Sequence, residues 1–147
     1  MQFRRILMSA ALLLIVSGLS APQSEFTPQS QAAEPAKNPK IERGRYIAND
    51  VAMCVLCHSP RTINGQIIRT EVFLGAPIPV ASPFPEQEWA VKAPNLRSVA
   101  EIWGEEDLAK FLQTGVPPRG IPPRMPMPPF RMNAEDAAAV AAYLKSL

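Results

Sequence analysis

The residues best suited to chemistry lie together in one short segment, Cys54-Val55-Leu56-Cys57-His58. The 147-residue chain contains two cysteines and one histidine, and this segment holds all three. The spacing Cys-x-x-Cys-His is the attachment signature of c-type haem. Two thiols three residues apart, at the end of a helix, can each add to one vinyl group at a haem edge. The pattern therefore predicts that Cys54 and Cys57 anchor a haem through thioethers and that His58 binds its iron.

Three alternative roles for this segment have weaker support. A structural zinc site needs about four Cys or His ligands, whereas this chain offers three, all within five residues. A thioredoxin-like redox pair is expected beside a βαβ unit, and the sequence shows no such alternation. The third alternative is that the motif is incidental.

The N-terminal segment has the three-part layout of a secretory signal peptide. A basic start at Met1–Arg5 is followed by an apolar run at Ile6–Val16 and by small residues from Ser17 onward. The apolar run is short for a transmembrane helix, which needs about 20 residues. We therefore expect a signal peptide at residues 1–21 and a periplasmic protein. The alternative is an uncleaved anchor that tethers the chain to the inner membrane through residues 6–21. Either form of export agrees with c-type haem, which is attached after export.

The remaining chain is long enough for one domain. Residues 22–37 are rich in Pro, Gln, Ser and Ala without apolar periodicity, which predicts a disordered linker. Residues 38–147 form the predicted domain. The formal net charge is +2 and no run of one sign dominates, so a nucleic-acid partner is not indicated. A domain this small often needs an internal staple, and a bound cofactor is a natural one.

Three helices are predicted in this domain. Asn38-Pro39 can cap and start a helix over about 40–53. A second helix opens at Trp103 and ends at Gly115, and a third begins after Asn133, a good N-cap. The pattern predicts an all-α fold with long connections.

The connection from residue 61 to residue 93 has an irregular pattern. Residues 66–74 could form one or two short strands, with Asn64-Gly65 as a turn. The prolines at 77, 79, 83 and 85 argue against strands after that point. A looped segment of this length usually wraps or binds something.

Over residues 38–147 the chain resembles class I cytochrome c, in particular bacterial periplasmic or membrane-tethered domains. The resemblance rests on Gly44-Arg45-Tyr46 before the cysteine motif, on Ala93-Pro94-Asn95-Leu96, on WGEEDLAKFLQTG at 103–115, and on PMPPFRM at 126–132 followed by DAAAVAAYLKSL. It implies three to five helices wrapped around one covalently bound haem. It also implies a one-electron carrier that is not itself an enzyme. The last two pieces look like the cytochrome subunits that accept electrons from sugar, alcohol or aldehyde dehydrogenases.

A second iron ligand must come from a residue other than histidine, because His58 is the only one. Methionine is the obvious choice, and His/Met ligation raises the reduction potential. The candidates are Met125, Met127 and Met132, since the other methionines lie in the signal segment or beside the cysteine motif. The resemblance implies a methionine in a proline-rich loop before the last helix, usually followed by proline. Met127 matches best, Met125 is the second choice, and Met132 adjoins the cap of the helix.

The resemblance also implies residues around the haem. A metal-bound histidine normally donates its other ring N–H to a carbonyl, and the matching acceptor is the backbone of Pro94. The segment departs from small family members because 35 residues separate His58 from Pro94. Leu96 would then pack on the ring edge. Candidate donors to the anionic haem propionates are Arg97, Trp89, Trp103, Arg119 and Arg124.

Together these observations predict a carrier with one haem c and its iron per chain. It would pass electrons from a donor dehydrogenase to an acceptor cytochrome or oxidase, alone or as the cytochrome subunit of a dehydrogenase. The alternative is a haem sensor or small peroxidase with an open axial position.

Overall fold

The computed structural model describes residues 38–147. The predicted signal peptide at 1–21, the linker at 22–37 and the alternative membrane tether at 6–21 lie outside the described residues. The α-helices are α1 (Pro39–Tyr46), α2 (Cys54–His58), α3 (Leu96–Thr114) and α4 (Ala134–Lys145). A π-helical turn spans Ile47–Val51, a 3-10 turn spans Arg69–Glu71, and two short strands are β1 (Ala76–Pro77) and β2 (Lys92–Ala93). The predicted all-α fold is confirmed, and the small two-stranded sheet is an additional element. Between residues 38 and 147, no helix is long and apolar enough to cross a bilayer.

Helix α1 begins where the sequence predicts. The side chain of Asn38 accepts a hydrogen bond from the backbone N–H of Lys40 at 3.0 Å, and Pro39 occupies the first turn, where a missing N–H is harmless. The helix continues into the π-helical turn, and Met53, with φ of 50°, separates that turn from α2. This left-handed residue redirects the chain into the cysteine motif.

Helix α3 begins at Leu96, about two turns before the predicted start at Trp103. Its N-cap is Asn95, whose side chain accepts from the N–H of Ser98 at 3.1 Å. The helix is broken at Gly104, where φ is 77° and ψ is 173°. The predicted start at Trp103 therefore marks the second part of α3, and its first part was missed. The predicted end is confirmed, because Gly115 adopts a φ of 72° as the C-cap.

Helices α1 and α4 cross closely at Gly44. A Cβ atom at Gly44 would overlap the backbone of Ala139 and lie 2.8 Å from Cβ of Tyr143. An ion pair at 2.7 Å between Arg43 and Asp136 joins the same two helices at the surface. Asp136 also donates its N–H to the side chain of Asn133 at 2.8 Å, which confirms the predicted start of α4. Gly44 thus sets the approach of the two terminal helices of the domain.

The core is formed mainly by the four helices and one loop residue, Phe73. Its ring is fully buried and meets the ring of Tyr143 edge-on, with centroids 6.0 Å apart. Most of the other large members come from α3 and α4, namely Leu108, Phe111, Leu112, Val140 and Leu144. Ile47 of the π-helical turn and Val55 of α2 complete the set.

The connection between α2 and α3 departs from the predicted pattern. Residues 66–74 form a 3-10 turn and one isolated bridge between Arg61 and Ile67 instead of strands. The expectation that the prolines exclude later strands is wrong, because β1 pairs with β2 antiparallel, Pro77 opposite Lys92. A two-stranded ribbon tolerates this proline because it has an unpaired edge where no N–H is needed.

Candidate cofactor site

One cavity of about 510 Å³ brings together the six residues that the sequence analysis prefers for haem attachment, iron ligation and their direct support. They are Cys54, Cys57, His58, Pro94, Leu96 and Met127. Its volume lies within the range of about 300–1,000 Å³ that is usual for cofactor and ligand sites. The rest of the lining comes mainly from apolar side chains of α3, α4, the proline-rich loop and the 61–93 connection. The second-choice ligand, Met125, is not among the lining residues, and 41% of its surface is exposed.

His58 ends α2 and is held from two directions. Its Nδ1 lies 2.9 Å from the carbonyl oxygen of Pro94, and its own carbonyl accepts the N–H of Gly75 at 2.8 Å. Because a carbonyl can only accept, Nδ1 carries the proton and Nε2 keeps its lone pair. Burial lowers the pKa of His58, and the Pro94 bond opposes that shift only in part. The imidazole is therefore neutral near pH 7, the form that binds metals.

The backbone that carries the Pro94 carbonyl packs directly on Gly75. A Cβ at Gly75 would lie 2.9 Å from the carbonyl oxygen of Ala93, 2.9 Å from the nitrogen of Asn95 and 3.0 Å from the carbonyl carbon of Pro94. Gly75 also has a φ of 82°, which favours glycine. The position of the histidine's hydrogen-bond acceptor therefore depends on a glycine in the preceding loop.

The two cysteines occupy the first and fourth positions of α2, and no disulfide joins them. Burial raises the pKa of the Cys54 thiol to about 11. Redox-active Cys-x-x-Cys pairs have the opposite property, a pKa lowered so that a thiolate is present. The raised pKa of the buried Cys54 thiol therefore disfavours a redox-thiol site.

The proline-rich loop supplies a thioether from Met127. Of Met125, Met127 and Met132, Met127 is the one that lines the cavity. Met132 packs against the core, and its N–H donates to the carbonyl of Leu112 at 3.1 Å. Met127 donates its N–H to the carbonyl of Arg124 at 3.2 Å, which forms a tight turn in the loop.

The predicted propionate donors separate into two groups. Trp89, Trp103 and Arg124 line the cavity, whereas Arg97 and Arg119 do not. Arg97 donates its Nε to the carbonyl of Val72 at 2.9 Å, so it supports the loop. Lys92, which the sequence did not single out, also lines the cavity.

The donor set of the cavity fits haem c. An imidazole nitrogen and a thioether are an established ligand pair for haem iron, and the two thiols match the attachment sites. The apolar lining suits a flat hydrophobic macrocycle. Among residues 38–147, no group of three or more His, Cys, Asp or Glu side chains is placed to hold a metal by itself.

Several lining residues were missed from the sequence. Ile78, Val91 and Ile121 all line the cavity. They lie in irregular, proline-rich segments that have no side-chain periodicity to detect. Ile78 and Val91 are also joined by a backbone hydrogen bond, in which the N–H of Ile78 donates to the carbonyl of Val91 at 3.0 Å.

The chain is similar to known cytochromes. The family model described as Cytochrome c matches residues 41–147. A diheme cytochrome c-type protein of Cereibacter sphaeroides is 30% identical over 112 residues, which cover 73% of this chain and 35% of that protein. The gluconate 2-dehydrogenase cytochrome c subunit of Pantoea cypripedii is 30% identical over 133 residues, covering 83% of this chain and 30% of that subunit. The cytochrome c subunit of alcohol dehydrogenase (quinone) from Gluconobacter oxydans is 29% identical over 119 residues, covering 75% and 24%. The chain thus spans about a third or less of the length of these curated relatives.

Proposed function

The chain belongs to the cytochrome c family, and from this premise we propose a periplasmic, monohaem carrier of single electrons. Family membership establishes an electron-transfer domain with haem c and iron. We further propose that Cys54 and Cys57 attach one haem per chain and that His58 and Met127 ligate its iron. The observation that carries this proposal is the single cavity that all four residues line.

Each residue would have a distinct part in the electron transfer. The bound haem supplies an iron that gains and loses one electron. The neutral imidazole of His58 offers Nε2, and the Pro94 carbonyl fixes the ring's tautomer and orientation. As an iron ligand, the Met127 thioether would favour the reduced state and so raise the reduction potential. The apolar lining would limit the access of water to the iron and so reduce the solvent reorganisation that accompanies each transfer.

A methionine in the cavity wall favours a carrier over a sensor or small peroxidase. Those functions need an axial position open to a gas or a peroxide. Met127 lines the cavity and is half-buried against the core, which supports a role as the ligand that fills that position. The seven prolines between 117 and 129 restrict the φ angles of its loop, which lowers the entropic cost of holding it there.

The first test is spectroscopic. The full chain would be exported in a host that matures c-type cytochromes, and its spectrum recorded oxidised and reduced. We expect sharp reduced bands that resist acid–acetone extraction, a stoichiometry of one haem per chain, and a weak far-red band from sulfur ligation in the oxidised form. Covalent haem with a high-spin spectrum would overturn the Met127 assignment, and a colourless protein would overturn the proposal as a whole.

We propose a dehydrogenase as the electron donor and a cytochrome or oxidase as the acceptor. The support is that two relatives are named as cytochrome c subunits of gluconate 2-dehydrogenase and alcohol dehydrogenase (quinone). A dehydrogenase core prepared without its own cytochrome subunit would be mixed with substrate and this protein. We expect reduction of the haem with substrate and none without it. A haem that stays oxidised with the cores of both gluconate 2-dehydrogenase and alcohol dehydrogenase (quinone) would contradict a dehydrogenase as the donor.

A further inference from the structure

One segment of the long connection, residues 89–94, touches the supports of both candidate iron ligands. We call it the brace. It runs along the cavity, and each of its six residues contributes to the lining. Its first residues contact the proline-rich loop, and its last residue contacts His58.

The first end of the brace is bonded to the loop that carries Met127. The N–H of Ala90 donates to the carbonyl oxygen of Met125 at 2.7 Å, within a parallel bridge between Trp89 and Met125. Between described residues, this is the one backbone hydrogen bond that joins residues 117–131 to another segment. The prolines remove N–H donors from the loop, so its attachment depends on carbonyls accepting from outside.

The second end of the brace is bonded to His58 and fixed by the small sheet. Strand β2 pairs with β1, and the next residue, Pro94, accepts from Nδ1 of His58 at 2.9 Å. The N–H of Ile78 donates to the carbonyl of Val91 at 3.0 Å and extends the ribbon toward Ala90. The ribbon thus links the two bonded ends over a span of five residues.

We propose that the brace positions both iron ligands, and that the Ala90 N–H is the group that keeps the Met127 loop closed over the cavity. This inference rests on the proposed His58 and Met127 ligation. Its consequence is that loosening Ala90 releases Met127 without releasing His58. Ala90 is a positioning residue because it acts through the loop backbone.

The affinity of the oxidised protein for imidazole measures how firmly the loop is closed, because imidazole competes with Met127 for the iron. The test compares Ala90→Pro, which removes the N–H, with Ala81→Pro in the holoprotein. Ala81 is exposed and does not line the cavity, and its N–H has no acceptor among residues 38–147. We expect Ala90→Pro to bind imidazole on the order of fivefold more tightly than the parent, the factor that one hydrogen bond contributes. Ala81→Pro should stay within about twofold of the parent.

A conservative variant separates the lost N–H from a general disturbance. Ala90→Ser keeps the N–H and should bind imidazole at least about threefold more weakly than Ala90→Pro. Equal affinities in Ala90→Pro and Ala81→Pro, with the far-red sulfur band present in the parent, would overturn the brace and leave the proposed function intact. A parent without that band would overturn the Met127 assignment and the brace together.

Amide hydrogen exchange tests the brace without a proline. Saturating the oxidised parent with imidazole displaces Met127, and by reciprocity it should loosen the Ala90 bond. The Ala90 amide should then exchange faster, whereas the Gly75 amide, bonded to the His58 carbonyl, should keep its rate. An unchanged Ala90 amide, or equal acceleration of both amides, would contradict the proposal.

Discussion

The side chain of Met127 differs from that of Met125 in its burial and in its position at the cavity. Met127 lines the cavity, whereas Met125 is exposed and contributes its backbone carbonyl to the brace. We therefore expect Met127→Ala to abolish the far-red band of the oxidised protein and to let carbon monoxide bind the reduced protein. Met125→Ala, the matched control, should retain the band because its carbonyl is unchanged. A band that survives Met127→Ala and is lost in Met125→Ala would reverse the assignment.

Gly75 controls the acceptor of the His58 hydrogen bond. Alanine at a positive φ costs about 1–2 kcal/mol, and the crowding against Ala93, Pro94 and Asn95 adds an overpacking cost of about 1–3 kcal/mol. Gly75→Ala should also displace the Pro94 carbonyl, which makes His58 a weaker donor to iron and raises the reduction potential.

Gly65→Ala is the control for this substitution. Gly65 has a φ of 80°, but a Cβ there would meet nothing within 4 Å. Gly65→Ala should lower the free energy of unfolding only by the backbone cost of about 1–2 kcal/mol. Its reduction potential should equal that of the parent. Chemical unfolding and redox titration of both holoproteins provide the comparison. Equal losses and equal potentials would show that Gly75 does not position Pro94.

The residues that sequence analysis could place around the cofactor are those with a local signature. Cys54, Cys57 and His58 are nearly contiguous, so their pattern can be recognised without a fold. Pro94 could be proposed only through the resemblance, since 35 residues separate it from the histidine it supports. Ala90 has no signature at all, because it acts through its backbone N–H, which every residue except proline possesses.

At the scale of elements, the close crossing of α1 and α4 decides whether Gly44→Ala raises or lowers the free energy of unfolding. Gly→Ala inside an open helix stabilises a protein by about 1 kcal/mol. At Gly44 the added Cβ meets the backbone of Ala139 and the side chain of Tyr143, so the overpacking cost of about 1–3 kcal/mol should exceed that gain. We expect Gly44→Ala to lower the free energy of unfolding.

The control for Gly44→Ala is Arg45→Ala on the same helix. The Arg45 side chain is half-exposed and pairs with Glu42, a surface ion pair that contributes little. Its loss should change the free energy of unfolding by about 0.5 kcal/mol or less. If Gly44→Ala were more stable than Arg45→Ala, the predicted clash between a Cβ at position 44 and helix α4 would be contradicted.

Helix ends were the most predictable elements because single residues cap them. Asn38, Gly115 and Asn133 each show the capping geometry that their residue types favour. The first part of α3 was missed because Gly104 interrupts the helix and the acidic residues after it resemble a helix start. Strand β1 was missed because Pro77 argues against a strand unless its unpaired edge is known.

On the scale of the whole molecule, the cofactor cavity and the hydrophobic core share the same side chains. Leu108, Phe111 and Leu112 of α3, with Val140 and Leu144 of α4, belong to the core and also line the cavity. The helices therefore pack around the cofactor's place, and a bound haem completes the core of this small domain. We therefore expect haem attachment to stabilise the folded domain.

Exposed apolar side chains mark the opening of the cavity and predict where a redox partner docks. Ile121 lines the cavity although 81% of its surface is exposed. With a net charge of +2, long-range steering is weak, so apolar contact at the opening should decide the affinity for the partner. We expect Ile121→Asp to slow haem reduction by the dehydrogenase core about tenfold or more, since burying an unpaired carboxylate at an interface is costly.

Ile63→Asp is the control, because Ile63 is 100% exposed and does not line the cavity. It should leave the rate unchanged, and stopped-flow reduction of the two variants measures the difference. Equal rates for both would place the docking surface away from the cavity opening.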